Sequence, residues 1–153
     1  MPDLLEVEGL SVSFYRPEGE QQALKNVSFS LHKGEILAVM GKTGCGKSVL
    51  CKSILKLLPD VARIRTGRIF FHGREITGYS EKQMQKLRGN AFSMVFQNPM
   101  TALNPVYTIG NQIMAAVLLP TDKTSAQARE RARARLELGG INEPANRLRQ
   151  SPH

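Results

Sequence analysis

The sequence predicts an α/β fold, and three consecutive stretches predict it. Ile36-Leu37-Ala38-Val39-Met40 is a continuous apolar run bounded by Gly34 and Gly41, the pattern of a parallel strand buried on both faces. It runs directly into a glycine-rich loop, Gly41-Lys42-Thr43-Gly44-Cys45-Gly46-Lys47-Ser48. From Lys47 onward Val49, Leu50, Ile54, Leu57 and Leu58 recur at helical spacing, and Pro59 stops the helix.

The flanking elements follow from the same periodicities. Leu5, Val7, Leu10, Val12 and Phe14 mostly alternate with polar residues and predict a half-buried strand, interrupted near Gly9. Arg16-Pro17-Glu18-Gly19-Glu20 is a turn. Leu24, Val27, Phe29 and Leu31 then give a second extended segment, ending at His32-Lys33-Gly34, so the pair is an antiparallel hairpin. Gly67 to Phe71 is a further strand, and His72-Gly73-Arg74-Glu75 a turn. Ser80 with Gln83 three residues on is a capping box, opening a helix to Leu87. Ala91 to Phe96 is a second buried strand, ending at Gln97-Asn98-Pro99. Ile109 to Leu119 is helical; so is Ser125 to Leu138, with Ala128, Ala132 and Leu136 on one face and Gly139-Gly140 as its stop.

The loop carries the chemistry. It matches GxxxxGK[ST], in which glycines let successive N–H groups converge on one anion. Lys47 sets a compact positive charge against the β- and γ-phosphate oxygens of a nucleoside triphosphate, and Ser48 offers a hydroxyl to Mg²⁺. The helix that begins here directs its positive end at the same phosphates. The nucleotide-binding residues are therefore Gly41, Lys42, Thr43, Gly44, Cys45, Gly46, Lys47, Ser48 and Val49, and the ligand is a nucleoside triphosphate with Mg²⁺, Mg-ATP being expected; the loop by itself does not distinguish a transporter motor from a GTPase or a small-molecule kinase.

Composition sets the class. The chain has 153 residues, 41% of them hydrophobic, enough for one buried core. Its longest apolar run, Ile113 to Leu119, falls far short of the roughly 20 residues that a membrane-spanning helix needs. The N-terminal residues carry no secretory signal pattern, so a cytosolic setting is expected. Cys45 and Cys51 are placed on different faces of the helix start, which predicts free thiols. Lysine and arginine exceed acidic residues by 21 to 13, a formal charge of +8. Arg129, Arg131, Arg133 and Arg135 alternate around a helix diluted by Glu130 and Glu137, a solvated face rather than a nucleic-acid stripe.

Four further stretches resemble the ATP-binding cassette (ABC) transporter family. Ala23-Leu24-Lys25-Asn26-Val27-Ser28-Phe29 with Lys33-Gly34-Glu35 looks like the strand pair that leads into that family's phosphate loop. An aromatic upstream, Phe14 or Tyr15, is similar to the one that stacks on adenine; Phe14 also reads as a core residue of the first strand. Met94-Val95-Phe96-Gln97-Asn98-Pro99 resembles the Q-loop, whose glutamine, here Gln97, reaches Mg²⁺ and the attacking water. Gln97 through Pro105 is similar to the oligopeptide, dipeptide and nickel importer branch.

The resemblance implies a P-loop NTPase fold of ABC type: an antiparallel β subdomain and an incomplete parallel core sheet over residues 1–98, and the start of a helical subdomain over 99–153. It implies Lys47 and Gln97 as catalytic residues, Ser48 and Gln97 toward Mg²⁺, and ATP hydrolysis coupled to uptake of peptides or nickel complexes. It also implies partners: a second ATPase subunit packed head to tail, and membrane permease subunits that hold the protein on the inner face of the cell membrane. The family's LSGGQ helix start, Asp-Glu strand end and switch histidine do not occur in these 153 residues. Ser151-Pro152-His153 resembles the segment just before LSGGQ, and His153 is not the switch histidine. A nucleotide-binding fragment without turnover is the alternative. A GTPase is disfavoured, because no NKxD base-reading motif is present.

Overall fold

The structure is a computed structural model and describes residues 3–98, 102–118 and 124–152. The chain divides into two compact units, Met1–Gln85 and Lys86–His153.

In the first unit, β1 (Asp3–Arg16) and β2 (Gly19–His32) form the expected hairpin, and β3 (Ala62–Phe71) and β4 (Arg74–Glu75) extend it into an antiparallel sheet of order β2-β1-β3-β4. β1 is central, and its alternation accounts for the core: Leu5, Val7, Leu10 and Val12 are buried, with Leu24 from β2 and Ala62 and Ile69 from β3. The pairing shifts register between Val7 and Leu10, on either side of Gly9. Opposite that irregularity stands Gly67, whose φ is +101°; a Cβ there would lie 2.5–2.7 Å from backbone atoms of Leu10 and Glu8, so only glycine lets β3 approach β1 this closely.

Helix α1 (Lys47–Ile54) follows the glycine-rich loop and buries Leu50. It is shorter than the expected helix to Leu58. Lys56 takes a left-handed φ of +52°, Leu57 N donates to Lys52 O and Lys56 N to Ser53 O, a Schellman closure three residues before Pro59. The Lys56 ammonium secures that turn by donating to the Thr77 and Tyr79 carbonyls. Helix α2 (Glu81–Leu87) starts at the expected capping box: Ser80 N donates to Gln83 Oε1 at 2.8 Å and Gln83 N to Ser80 Oγ at 3.4 Å.

Two expected strands do not form. Residues 36–40 pair with nothing among the described residues, and Ile36 and Met40 are 95% and 91% exposed. A strand apolar on both faces is stable only with neighbours on both sides; the described sheet is antiparallel and composed of other segments. Residues 91–96 fail for the same reason. Phe92 makes an isolated bridge with Arg88, but no strand follows, and Val95 is 96% exposed.

The second unit contains α3 (Ile109–Leu118), α4 (Ser125–Leu138) and α5 (Pro144–Arg147). Thr124 caps α4 in a box with Gln127, and Gly140 closes its other end at φ +72°, with Ile141 N donating to Leu136 O. Ala128 and Ala132 form the buried seam of α4. The first amides of α3, Ile109 and Gly110, donate to the Gln150 and Leu148 carbonyls, each at 2.9 Å. Thus α3 begins on the stretch just after α5. Arg133 lies between Glu130 and Glu137 on the exposed side of α4, and its hydrogen bond to Glu130 and both carboxylate charges raise the guanidinium pKa. Among the described residues no helix is long and apolar enough to cross a membrane.

Candidate functional site

The glycine-rich loop lies in the first unit, where its trailing end is fixed by packing. Gly46 is the N-cap of α1 at φ +102°, and a Cβ on it would lie 2.7 Å from the Ala23 carbonyl and 2.8 Å from Leu24 Cδ2. The second glycine of the motif is thus dictated twice, by conformation and by the wall that β2 presents behind it. That wall is not legible from the motif, since Ala23 and Leu24 read only as strand residues. Gly44 also adopts a positive φ of +83°.

These conformations leave a cluster of open donors. Cys45 N is used by Lys42 O at 3.2 Å, and the first helical bond is Leu50 N to Gly46 O at 2.9 Å. Among the described residues the N–H groups of Gly44, Gly46, Lys47, Ser48 and Val49 have no acceptor, and no side chain caps α1. Successive open amides at a helix N-terminus make a concave positive surface suited to an anion. The Lys47 ammonium folds over the same loop, donating to Gly41 O at 2.7 Å and Lys42 O at 2.8 Å, with Cys45 Sγ at 3.7 Å. Ser48 is exposed, and its hydroxyl has no partner among the described residues. Lys42 and Thr43 are exposed on the leading half of the loop, and Val49 is half-buried as α1 begins.

The aromatic candidates lie on the last turnward residues of β1. Phe14 is half-buried, pairs with Gln21 on β2 and Ala62 on β3, and carries the Arg16 guanidinium 6.0 Å from its ring centre. Tyr15 is 44% exposed, and its N–H donates to Val61 O at 2.7 Å. Gln21 is two residues before the Ala23 carbonyl that backs Gly46, a distance of about 7 Å along an extended strand. Gln97 belongs to the second unit, is exposed, and makes no hydrogen bond among the described residues. Of the importer-branch signature, Pro99, Met100 and Thr101 lie outside the described residues, as does His153. Within the remainder, Gln112 accepts from Asn104 N at 2.8 Å and donates to the Asn104 and Tyr107 carbonyls at 2.9 and 3.0 Å, a brace that sequence reading missed. Cys45 and Cys51 are both free and exposed, as expected.

A separate cleft of about 450 Å³ lies where α1 ends and β3 begins, lined by Ser53, Lys56, Arg63, Arg65 and Thr77 among others. None of residues 41–49 lines it, and its Lys56 ammonium is already bonded to carbonyls. The open amides of the loop, not this cleft, form the candidate site.

A family model described as ABC transporter matches residues 24–152. The chain belongs to that family. It is 44% identical to the dipeptide transport ATP-binding protein DppD of Bacillus subtilis over 100% of this chain and 46% of that protein. It is 45% identical to the oligopeptide transport ATP-binding protein OppD of the same organism, over 98% of this chain and 42% of that protein. The chain therefore spans less than half the length of these curated relatives. Among solved structures, the dimeric structure of MJ0796, a bacterial ABC transporter cassette, superposes with a TM-score of 0.81. That match covers 97% of this chain and 61% of the other at 21% identity, and it establishes the cassette fold with its antiparallel β subdomain.

Proposed function

We propose that the chain is the nucleotide-binding part of an ATP-driven importer, holding the triphosphate of Mg-ATP on the loop Gly41 to Val49. The carrying observation is the set of open N–H groups on Gly44, Gly46, Lys47, Ser48 and Val49, with one ammonium among them. A triphosphate supplies acceptors for all of these at once, and its charge replaces the two carbonyls that Lys47 now engages. Ser48 fits a magnesium ligand: a hard oxygen donor, exposed and unengaged, on the second residue of α1. Bound there, Mg²⁺ would neutralise charge on the β and γ oxygens. Gln97 would serve as second metal contact and position the attacking water, and Phe14 or Tyr15 would stack on adenine.

Peptide import is supported by the names of the dipeptide and oligopeptide relatives; nickel complexes are the remaining substrate of the branch inferred from residues 97–105. A second cassette subunit, packed head to tail, and permease subunits would complete the transporter and hold it on the inner face of the cell membrane. The domain reading places the nucleotide core in residues 1–98 and the helical subdomain in 99–153. Binding without turnover is the second reading, favoured by the unpaired segment 36–40 that leads into the loop.

Titration calorimetry with Mg-ATP tests the binding. Replacing Lys47 with Ala removes charge-assisted hydrogen bonds of about 1.5–3 kcal/mol, so affinity is expected to fall by roughly 10-fold to 150-fold. Equal affinity in the two proteins, or stronger competition by GTP than by ATP, would refute it.

A further inference from the structure

We propose that the cleft at the end of α1 binds an extended acidic segment of another polypeptide, which adds to the free edge of β3 and sets its carboxylates against Arg63 and Arg65. None of residues 41–49 lines this cleft, so the proposal does not rest on nucleotide binding.

The edge is open between two closed ends. β1 covers one side of β3, while on the other side β4 pairs only with Phe70 and Phe71. Just before them, Ile69 N donates to Thr77 Oγ1 and Ile69 O accepts from Ile76 N, each at 2.8 Å. At the far end Ala62 N donates to Pro59 O, also at 2.8 Å. Between these closures, from Arg63 to Arg68, no strand among the described residues lies on this side. That is about 20 Å of open edge at roughly 3.3 Å per residue. The cleft of about 450 Å³ runs along it, with residues 62–67 on one side and the turn at Leu58 and Pro59 on the other. A sheet edge beside a groove is the setting for strand addition, in which main-chain hydrogen bonds supply affinity and alternate side chains supply specificity.

Charge decides which strand fits. Arg63 is exposed and has no ion pair among the described residues, and Arg65 meets Glu20 at 2.6 Å on the surface. Asp60 is the one carboxylate among the described residues that line the cleft. Charged side chains and bulges both guard an edge against casual pairing. Here the register passes from Ser11–Thr66 to Val12–Ile64, which leaves Arg65 as an extra residue on β3. A second copy of this edge would bring arginines against arginines, and like charges directly opposite destabilise a strand pair. Carboxylates reverse the sign, because guanidinium groups receive them in paired, charge-assisted hydrogen bonds. Leu58, Pro59 and Ile64 give an apolar wall for the side chains in between.

The groove is also held in shape without a ligand. The Lys56 ammonium ties the end of α1 to the Thr77 and Tyr79 carbonyls, and Ser53, fully buried, donates to Val49 O at 2.7 Å. A strand entering here costs little ordering of the receiving chain. A small anion would engage the guanidinium groups and leave the edge unpaired, so an extended peptide is the ligand that uses both.

The test titrates the whole nitrogen-15-labelled chain with the peptide acetyl-Thr-Glu-Val-Glu-Thr-Glu-Val-amide. The largest shifts should fall on the amides of residues 63–68, and those facing the cleft should exchange with solvent roughly tenfold more slowly in the complex. The same peptide with Lys in place of each Glu, and the same peptide N-methylated at alternate residues, should each bind at least tenfold more weakly. Arg63→Glu should weaken binding by roughly tenfold or more, and Arg129→Glu, at an exposed site on α4, should leave it unchanged. Shifts centred on the loop amides of residues 44–49, equal binding of the lysine or N-methylated peptide, or equal binding to the Arg63→Glu chain would each overturn the proposal. So would free glutamate or a single-stranded DNA oligonucleotide that reproduces the same shifts and protection, since neither can add a strand.

Discussion

β1 and the segment 36–40 are both apolar stretches that the sequence marks as strands, and they end in opposite environments. Leu10, in the middle of β1, is 0% exposed, flanked by paired strands on both sides, whereas Ile36 stands in solvent. The difference lies not in residue preference but in partners: β1 finds β2 directly through a two-residue turn, and β3 returns within the same unit. Strand propensity is thus a conditional property, realised only where a neighbour supplies hydrogen bonds and a packing surface.

The sharpest way to break this contrast is to truncate the two residues in parallel. Leu10→Ala should lower stability by about 2–5 kcal/mol, the usual cost of a cavity in a packed core. Ile36→Ala in the isolated chain should change it by no more than about 0.5 kcal/mol, as at exposed sites generally. Urea unfolding of both variants checks the pair, and similar losses would mean that 36–40 is packed.

Gly46→Ala comes next. The added Cβ would press on the Ala23 carbonyl in a left-handed conformation, at a cost of about 1–3 kcal/mol, and would displace the loop amides. Thermal unfolding should register the loss together with at least tenfold weaker ATP binding; a stability loss with unchanged binding would separate the loop's conformation from its function. The smallest effect concerns the helical unit, which needs no distant strand. Thr124→Ala removes half of a capping box and should cost about 1 kcal/mol, seen as faster hydrogen exchange in the first turn of α4 with β1 unaffected.

What was legible in the sequence divides along the same line. The β1–β2 hairpin, the helix starts at Ser80 and Ser125 and the Gly139-Gly140 stop depend on neighbours a few residues away, and the structure has each of them. The glycine-rich loop was legible because its residue types are fixed by backbone conformation and anion chemistry. Strands 36–40 and 91–96 were not realised, because periodicity reports burial that a partner must provide. The early end of α1 was hidden because a left-handed Lys56 gives no compositional signal; its cause is the pair of carbonyls at Thr77 and Tyr79, more than twenty residues away. The Gln112 brace and the Ala23 wall behind Gly46 were equally silent, being contacts of ordinary residues that no motif marks.

The account depends on the claim that open backbone amides at the start of α1 receive a triphosphate. Nitrogen-15 NMR of the whole chain during titration with Mg-ATP addresses it directly. The amides of Gly44, Gly46, Lys47, Ser48 and Val49 should show the largest shifts, saturating together. Shifts concentrated on Lys56, Arg63 and Thr77 around the other cleft, with the loop amides unmoved, would contradict it.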